Sequence, residues 1–521
     1  MAHRKSPRRI AKLARIGALH KAPPHVFTKL GLPRAALVRL EEKIVGRVVV
    51  PGMADYDASR QESNPAFQAF PQIIVYCVVP GDVEACLALS ANYGLWIAVR
   101  SGGHSTGGYS VNSGIVIDVS KFQNIAVDSA AMSVTVGPGI DFDVMNGMLD
   151  GYALHVPSGA CGAVCVGGFM QGGGFGYTSR NYGINCDCVT DVGVMLWDGS
   201  MVHANASQNE DLFWAVRGGT GGNFGILLEV TYALQPLPSV WAFAIQWDIS
   251  QAAAVFYELQ QNYTVSGAPQ ALGYMMNVGH TAGSPVALIQ GMYCGSAADG
   301  RQAVASLMAI PTAQLLVDQT GLYGAMDKYL DSHPYSLPDP PAGVKEDKIT
   351  GYIAQPLSVA QWQTIVDQFL QSQSQWSVMY TESYGGAINA FPIDGNAFIH
   401  RTAVANLVID AFWTDDAGRL AAEVWLADFT AVLEPFVSGE IYQNYPRRTY
   451  EQFRENYWGV AFDTLLEVKQ KYDPNNLFHY QQSISPWPEG MARKTPSEPR
   501  VPGFAKSAIV YERGPRKAQG V

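Results

Sequence analysis

Val99-Arg100-Ser101-Gly102-Gly103-His104-Ser105-Thr106-Gly107-Gly108 is the stretch on which the reading of this chain turns. An apolar run from Leu95 to Arg100 enters it and another, Ile115 to Val119, follows it, so a glycine-dense loop sits at the end of a strand. Upstream, Ile73 to Val79 reads as a further strand. Pro80-Gly81-Asp82 stops it and opens a helix through about Tyr93, with Asp82 as its cap. The region is an α/β unit, and such folds place ligands at their strand ends. Glycine has no Cβ, so backbone N–H groups in such a loop can approach phosphate oxygens or ring carbonyls closely.

Two more glycine clusters lie downstream. Gly159 to Gly176 contains Cys161, Cys165, Gly167-Gly168 and Gly172-Gly173-Gly174-Phe175-Gly176, and Arg217 to Gly225 forms the other. A hairpin around Asp198-Gly199 and a short helix, about Leu212 to Val216, lie between them. Neither the dinucleotide fingerprint G-x-G-x-x-G nor a phosphate loop ending in Gly-Lys-Ser/Thr occurs in a strand-turn-helix context, so a nucleotide would have to be held some other way. After Pro236-Leu237-Pro238 the texture changes. Strands such as Phe243–Trp247, Trp376–Glu382 and Ala403–Ile409 alternate with helices such as Ala252–Gln261 and Val359–Leu370, which reads as a separate α+β domain. Ser336 to Pro341 is a proline-rich surface loop, and a helix-rich tail begins near Tyr442.

At 521 residues the chain exceeds what one core usually organises. Apolar residues at 48% and charged residues at 15% exclude disorder, and a formal charge of −10 argues against a polyanionic partner such as nucleic acid. The basic cluster is N-terminal: Arg4, Lys5, Arg8, Arg9, Lys12, Arg15 and Lys21 precede the first acid, Glu41. It reads as a solvated arm rather than a membrane-surface element. Arg8-Arg9 lacks the apolar stretch of an export signal, and no run of about 20 apolar residues occurs, so a cytoplasmic location without an integral membrane segment is expected, secretion remaining open. Seven cysteines show neither a disulfide framework nor a zinc pattern, and no metal is expected; Cys186-Asp187-Cys188 with His155 and His203 matches no common zinc spacing.

Val99 to Ser105, with Ile73-Val75-Cys77 and Asp82-Val83 before it and Ile117-Asp118-Val119-Ser120 after it, resembles the FAD-binding loop of the berberine bridge enzyme-like oxidases. These belong to the vanillyl-alcohol oxidase superfamily, whose FAD-binding domain is of the PCMH type. Cys161 with the glycines to Gly176 resembles the family's second flavin motif. Tyr472-Asp473-Pro474-Asn475 through Phe478 to Gln482-Ser483-Ile484 resembles its C-terminal signature. The likeness runs from about Val48 to Pro486. It implies an α+β, two-lobed fold with an antiparallel-sheet substrate domain: a basic arm (1–47), an FAD-binding part (48–238), a substrate part (239–437) and a C-terminal return to the FAD-binding domain (438–521).

By that resemblance His104 is bonded to the flavin 8α-methyl carbon and Cys161, two residues after Gly159, to flavin C6, with Cys165 as the rival thiol. Arg100, Ser101, Gly102, Gly103, Ser105, Thr106, Gly159, Gly167, Gly168, Gly172, Gly173, Gly176, Gly225, Ile226, Tyr480 and Gln482 are the further cofactor-binding candidates. Gly159 is the position where a small residue leaves dioxygen a path, which favours an oxidase. Oxidising an alcohol carbon needs a base for the hydroxyl proton. The segment Tyr442-Gln443-Asn444-Tyr445 resembles the family's Tyr-x-Asn-Tyr element and makes Tyr445 that base, with Tyr384 as a second tyrosine. A phenol has an ordinary pKa of about 10, so Tyr445 would need a cation, the flavin or another phenol to stabilise it as phenolate. Arg401 is expected to be structural. One departure is Phe169, where the family has histidine after its Gly-Gly.

The expected activity is oxidation of a sugar hemiacetal or a natural-product alcohol by a monomer or homodimer, with dioxygen as the second substrate. The alternatives are an amine or alkaloid oxidase or ring-closing enzyme, and a flavin-binding protein without catalysis. Bridge-forming members of the family use a carboxylate base, and Tyr445 in its place argues against that chemistry.

Overall fold

The computed structural model describes residues 7–22, 24, 27, 31–264, 267–332, 336–485, 491–493 and 511–513. The strands Ile73–Tyr76 and Ile97–Arg100 both pair in parallel with Ile115–Asp118, and Arg47–Val49 closes one edge antiparallel. Their side chains are apolar and almost wholly buried, as parallel strands covered on both faces require. The intervening helix runs Pro80–Tyr93 and ends at Gly94, whose φ of 64° suits a residue without a Cβ. The N-cap residue is Val79, and Asp82 caps from the third helical position, its carboxylate accepting from the Val79 N–H at 3.4 Å. The Asp82 carboxylate accepts from the backbone N–H groups of Val45, Gly46 and Val78 at 2.7, 2.9 and 2.9 Å, fastening the helix to the chain before it. Arg100 Nε donates to Asp118 Oδ2 at 2.6 Å and fixes the two strand ends from which the 101–108 loop departs.

A second, antiparallel sheet has the order Ile125–Asp128, Ser133–Val136, Ile226–Ala233, Val189–Met195, Met201–Asn205. Its core takes in Ile441, Tyr442, Trp458, Phe462 and Leu465 from the end of the chain. The C-terminal signature explains that return. Buried Lys469 donates to Asp473 Oδ2, Asn223 O and Phe478 O at 2.5, 2.7 and 2.6 Å, so one ammonium joins the Tyr472–Phe478 turn to the third glycine loop.

The third sheet has seven antiparallel strands in the order Gln314–Gly321, Val240–Asp248, Ser284–Tyr293, Leu272–Thr281, Val378–Ser383, Ala405–Trp413, Lys345–Ile353. One face packs Phe243, Ile245, Met276, Ile289, Leu407 and Ile409 against helices Ala252–Asn262, Val359–Phe369 and Asp416–Leu433. Alternation along the strands turns Met275, Gln290, Lys348 and Glu382 to the other face, toward a cavity. The long central hairpin, unread in the sequence, turns through Ala282 and Gly283, both at positive φ.

Gly273 ties this sheet to the second glycine loop: a Cβ there would stand 1.6 Å from the backbone oxygen of Tyr177. Gly273→Ala is therefore expected to destabilise the fold by about 1–3 kcal/mol, read as a lowered urea midpoint with unchanged slope.

The N-terminal basic segment differs from a solvated arm. Pro7–Lys21 is a helix that packs against a second, Arg34–Lys43. Leu19 and Leu37 are fully buried, and Arg15 Nε donates to the buried Glu41 at 2.6 Å. Lys12 and Arg15 thus sit on a docked helix, Lys12 donating to the Ile44 carbonyl at 2.8 Å and Arg15 paired with the first acid of the sequence, while Arg4 and Lys5 lie outside the described residues. No helix among the described residues is long and apolar enough to cross a membrane.

Candidate active site

Strand ends and glycine loops enclose one long cavity of about 1040 Å³, at the upper end of the roughly 300–1,000 Å³ of small-molecule sites. Trp96 and His479 stand at one part of its wall, their rings stacked at 6.0 Å, and Tyr445, Glu382 and Lys348 at another. Ser101, Gly102, Gly103, His104, Ser105, Thr106, Gly159, Cys161, Gly167, Gly168, Gly176, Gly225, Tyr445, Tyr480 and Gln482 all contribute to it. His104 and Cys161 are both exposed to this space, and the backbone of Ala163 lies against both side chains. Burial pushes the His104 imidazole below its ordinary value, which favours the neutral ring with a free lone pair.

Cys161 and Cys165 differ in surroundings. Cys165 is buried, lies 3.6 Å from Gly139 O, and is pushed up to about 11 by burial and by Asp141 and Asp118. Cys161 is also raised by burial, but the backbone N–H groups of Ala163 and Val164 pull it back. Both cysteines line the cavity, but Cys161 is the exposed one and the one with anion-stabilising donors.

Several sequence-derived candidates lie elsewhere. Arg100 is spent on Asp118. A Cβ on Gly172 would meet the Asn444 amide at 2.0 Å and one on Gly173 the Phe398 ring at 2.8 Å, so these glycines serve packing; Ile226 belongs to an apolar core. Tyr384 is fully buried, its hydroxyl 3.0 Å from that of Tyr352 and its ring stacked on Phe175. It does not line the cavity: the strand ends at Ser383 and the chain turns through Gly385 and Gly386 at positive φ. Gln482 touches the cavity, yet both ends of its amide are used, by the Tyr457 hydroxyl and by the Arg447 and Tyr450 carbonyls. Arg401 is structural, bidentate to Asp187 at 2.7 and 2.9 Å, which also accounts for the Cys186-Asp187-Cys188 segment. Phe169 fills the space beside Gly159 and Gly174, where added Cβ atoms would come within 2.8 and 2.4 Å of its ring.

The site also contains side chains that the sequence did not single out. Tyr445 donates its hydroxyl to Glu382 Oε1 at 2.6 Å, and Glu382 Oε2 accepts from Asn406 at 2.8 Å. Asn406 in turn accepts from the Thr350 hydroxyl at 2.5 Å. Burial pushes the Glu382 carboxyl up to about 7, against the opposing pull of Asn406, Tyr445 and Lys348. Burial likewise holds the Tyr445 phenol well above its ordinary value, with Glu382 and Tyr380 adding to it. Lys348 Nζ stands 4.9 Å from the centre of the Tyr445 ring and is anchored by Glu346 at 2.8 Å and Asp410 at 3.3 Å.

These walls fit FAD. Three glycine loops present backbone to the cavity, Gly168 has open space where a Cβ would stand, and the buried Tyr109 hydroxyl has no partner in the protein. Tyr109 packs against Tyr480 at 4.7 Å, and Tyr480 meets Thr220 at 2.8 Å, so the first, third and C-terminal segments converge. A glycine-walled cavity with a buried phenol–carboxylate pair is the site of a flavin-dependent oxidoreductase.

Family models agree in detail. Residues 71–205 match an FAD binding domain, and residues 441–485 match the berberine and berberine-like domain. The chain is 28% identical over 457 residues to the FAD-linked oxidoreductase YvdP of Bacillus subtilis (strain 168), covering 85% of this chain and 99% of that one. It is 25% identical over 488 residues to the xylooligosaccharide oxidase of Thermothelomyces thermophilus, covering 88% and 97%. The structure of Physcomitrella patens BBE-like 1 superposes with a TM-score of 0.78 at 24% identity, over 86% of this chain and 99% of that one. The chain carries an FAD binding domain and a berberine and berberine-like domain, resembles FAD-linked oxidoreductases along most of its length, and shares the two-lobed fold of the berberine bridge enzyme-like oxidases.

Proposed function

We propose that this protein oxidises a hydroxyl-bearing carbon of a small molecule, holding FAD through His104 and Cys161 and using Tyr445 with Glu382 to take the hydroxyl proton. The observation that carries the reading is the 2.6 Å bond from the Tyr445 hydroxyl to a buried carboxylate on the cavity wall. FAD, when bound, supplies a two-electron acceptor that removes hydride from the carbon and passes the electrons to dioxygen as hydrogen peroxide. The protein supplies the rest. The substrate hydroxyl gives its proton to the Tyr445 oxygen while Tyr445 gives its own to Glu382 Oε1. The net acceptor is then a carboxylate whose value near 7 suits proton transfer at neutral pH. In this relay no free phenolate accumulates, so Tyr445 needs no separate stabilisation as one. Asn406 and Lys348 orient the pair, and Ser101 to Thr106, Gly167, Gly168, Gly225 and Tyr480 form the bed for the cofactor.

In this reading residues 48–238 and 438–521 build the FAD-binding lobe and 239–437 the substrate lobe. Substrates are hydroxylated molecules such as the xylooligosaccharides of the Thermothelomyces relative's name. Supplying cello-, xylo- and chito-oligosaccharides and a set of secondary alcohols, and following peroxide, tests the class; silence on all of them rejects it. The pH dependence has a definite sign. Glu382 must be ionised to receive a proton, so kcat/KM is expected to rise with pH and level off above about 7. Glu382→Gln should abolish that limb along with most of the rate.

Glu382 lines the cavity in its own right, and this favours a second reading. In it the carboxylate acts directly as base on an amine or phenol substrate, as in the bridge-forming members of the family. Tyr445→Phe separates the two, since a direct carboxylate base survives that change and a relay does not.

A further inference from the structure

On the wall of the same cavity, away from the Tyr445–Glu382 pair in sheet order, stands the helix Tyr323–Asp331. Two of its carboxylates, Asp327 and Asp331, lie one turn apart on one face and both line the cavity. Asp327 is 4% exposed, and its Oδ1 has no hydrogen-bond partner. Burial and the neighbouring Asp331, Asp143 and Asp150 hold its carboxyl well above the ordinary carboxylate range, so it is ionised when a cation fills the vacancy beside the partnerless oxygen. The acids around it are already committed. Asp150 accepts from the N–H groups of Gly324 and Ala325 at 3.1 and 3.2 Å and caps the helix, and Asp143 pairs with the exposed Lys328 at 3.4 Å. Asp331 and Asp339 add negative charge on the solvent side, so Lys328 faces an excess of carboxylates. Tyr177, Tyr323 and buried His155, which bonds Thr178 at 2.7 Å, complete the surroundings and add no cation. Among the described residues no cluster of ligating side chains suits a metal ion.

Sheet register gives the distance to the reacting end. Gln290 pairs with Met275, and Met275 with Glu382, two strand spacings of about 4.8 Å each. Gln290 Nε2 donates to Leu330 O at 2.7 Å, so the acidic helix begins where that row of side chains ends. Asp327 therefore stands on the order of 10–15 Å from Glu382.

We propose that Asp327, seconded by Asp331, forms a subsite for a protonated amine, and that the substrate carries this cation at one end and the carbon to be oxidised at the other. This rests on the proposed oxidation and narrows its substrate class to extended, amine-bearing hydroxylated molecules, of two or three sugar rings in length. An ammonium supplies three donors to the vacant oxygen and its neighbours and neutralises charge that Lys328 leaves uncovered.

Chitosan oligosaccharides, with free amines, and the same chains N-acetylated share a skeleton and differ in charge. Binding of each to the holoenzyme at pH 7 is measured by titration calorimetry, with peroxide followed in parallel. The free-amine trimer is expected to bind at least tenfold more tightly than its acetylated form. Asp327→Asn should erase that difference, and Asp331→Asn, at an exposed position, should reduce it in part. Equal affinities for the two series, binding of neither, or a preference that survives both variants overturns the subsite. A preference without peroxide keeps the subsite and rejects the oxidation, whereas peroxide from both series without preference does the reverse.

Discussion

Tyr445→Phe is expected to lower kcat by about 10²–10⁴-fold, the range that positioned acid–base groups supply, while the protein keeps its flavin and its fold. The phenol ring packs edge-on against Tyr442 at 4.9 Å and beneath Lys348, and phenylalanine preserves both contacts. What it removes is the oxygen that bridges substrate and Glu382. Glu382 then keeps its bond from Asn406 but loses the donor on Oε1, so its carboxyl should rise further above 7. A single-turnover experiment isolates the step: the rate of flavin bleaching on mixing with substrate should fall with kcat, while substrate affinity changes little. Bleaching at the wild-type rate would leave the relay without a role and hand the proton directly to the carboxylate.

How much of this was legible in the chain depends on how local each feature is. The glycine loops and their strands could be read because a loop that presents backbone needs consecutive glycines, and buried parallel strands need consecutive β-branched residues. The chain from Ile73 to Asp118 follows that reading, with Val79 rather than Asp82 at the N-cap position, and Asp82 also reaches back to Val45 and Gly46, contacts that no local pattern encodes. The base partner was illegible for the same reason. Tyr445 lies in a recognisable segment, but Glu382 comes from a strand some sixty residues earlier and meets it only through tertiary packing. Strand alternation could have offered Tyr380 and Glu382 together as one face of Val378–Ser383; Tyr384 is singled out by resemblance alone, and the turn after Ser383 buries it. The basic N-terminus misled because charge was weighed without periodicity: Leu19 is the buried anchor of a helix on which Arg15 reaches Glu41.

Under the proposed double attachment, removing His104 and Cys161 together should give a protein that releases its flavin. Both side chains are open to the cavity, and both rest against the backbone of Ala163, so one bed can hold both ends of a double tether. Bond formation to an electron-poor ring requires a neutral imidazole and a thiolate, and the N–H groups of Ala163 and Val164 favour the thiolate at Cys161. Intact mass of wild type should exceed that of the bare chain by one FAD, and acid precipitation should leave the colour in the pellet. His104→Ala and Cys161→Ala should each keep the adduct through the remaining bond; the double variant should lose it to the supernatant. Cys165→Ala is the control, because its sulfur faces Gly139 O and its thiol is held near 11. The singles should also differ in potential. Each bond to the ring withdraws electron density, so either variant should accept electrons less readily and oxidise the same substrate more slowly. An FAD adduct that survives in the double variant, or one that vanishes with Cys165 alone, would move the attachment to another side chain.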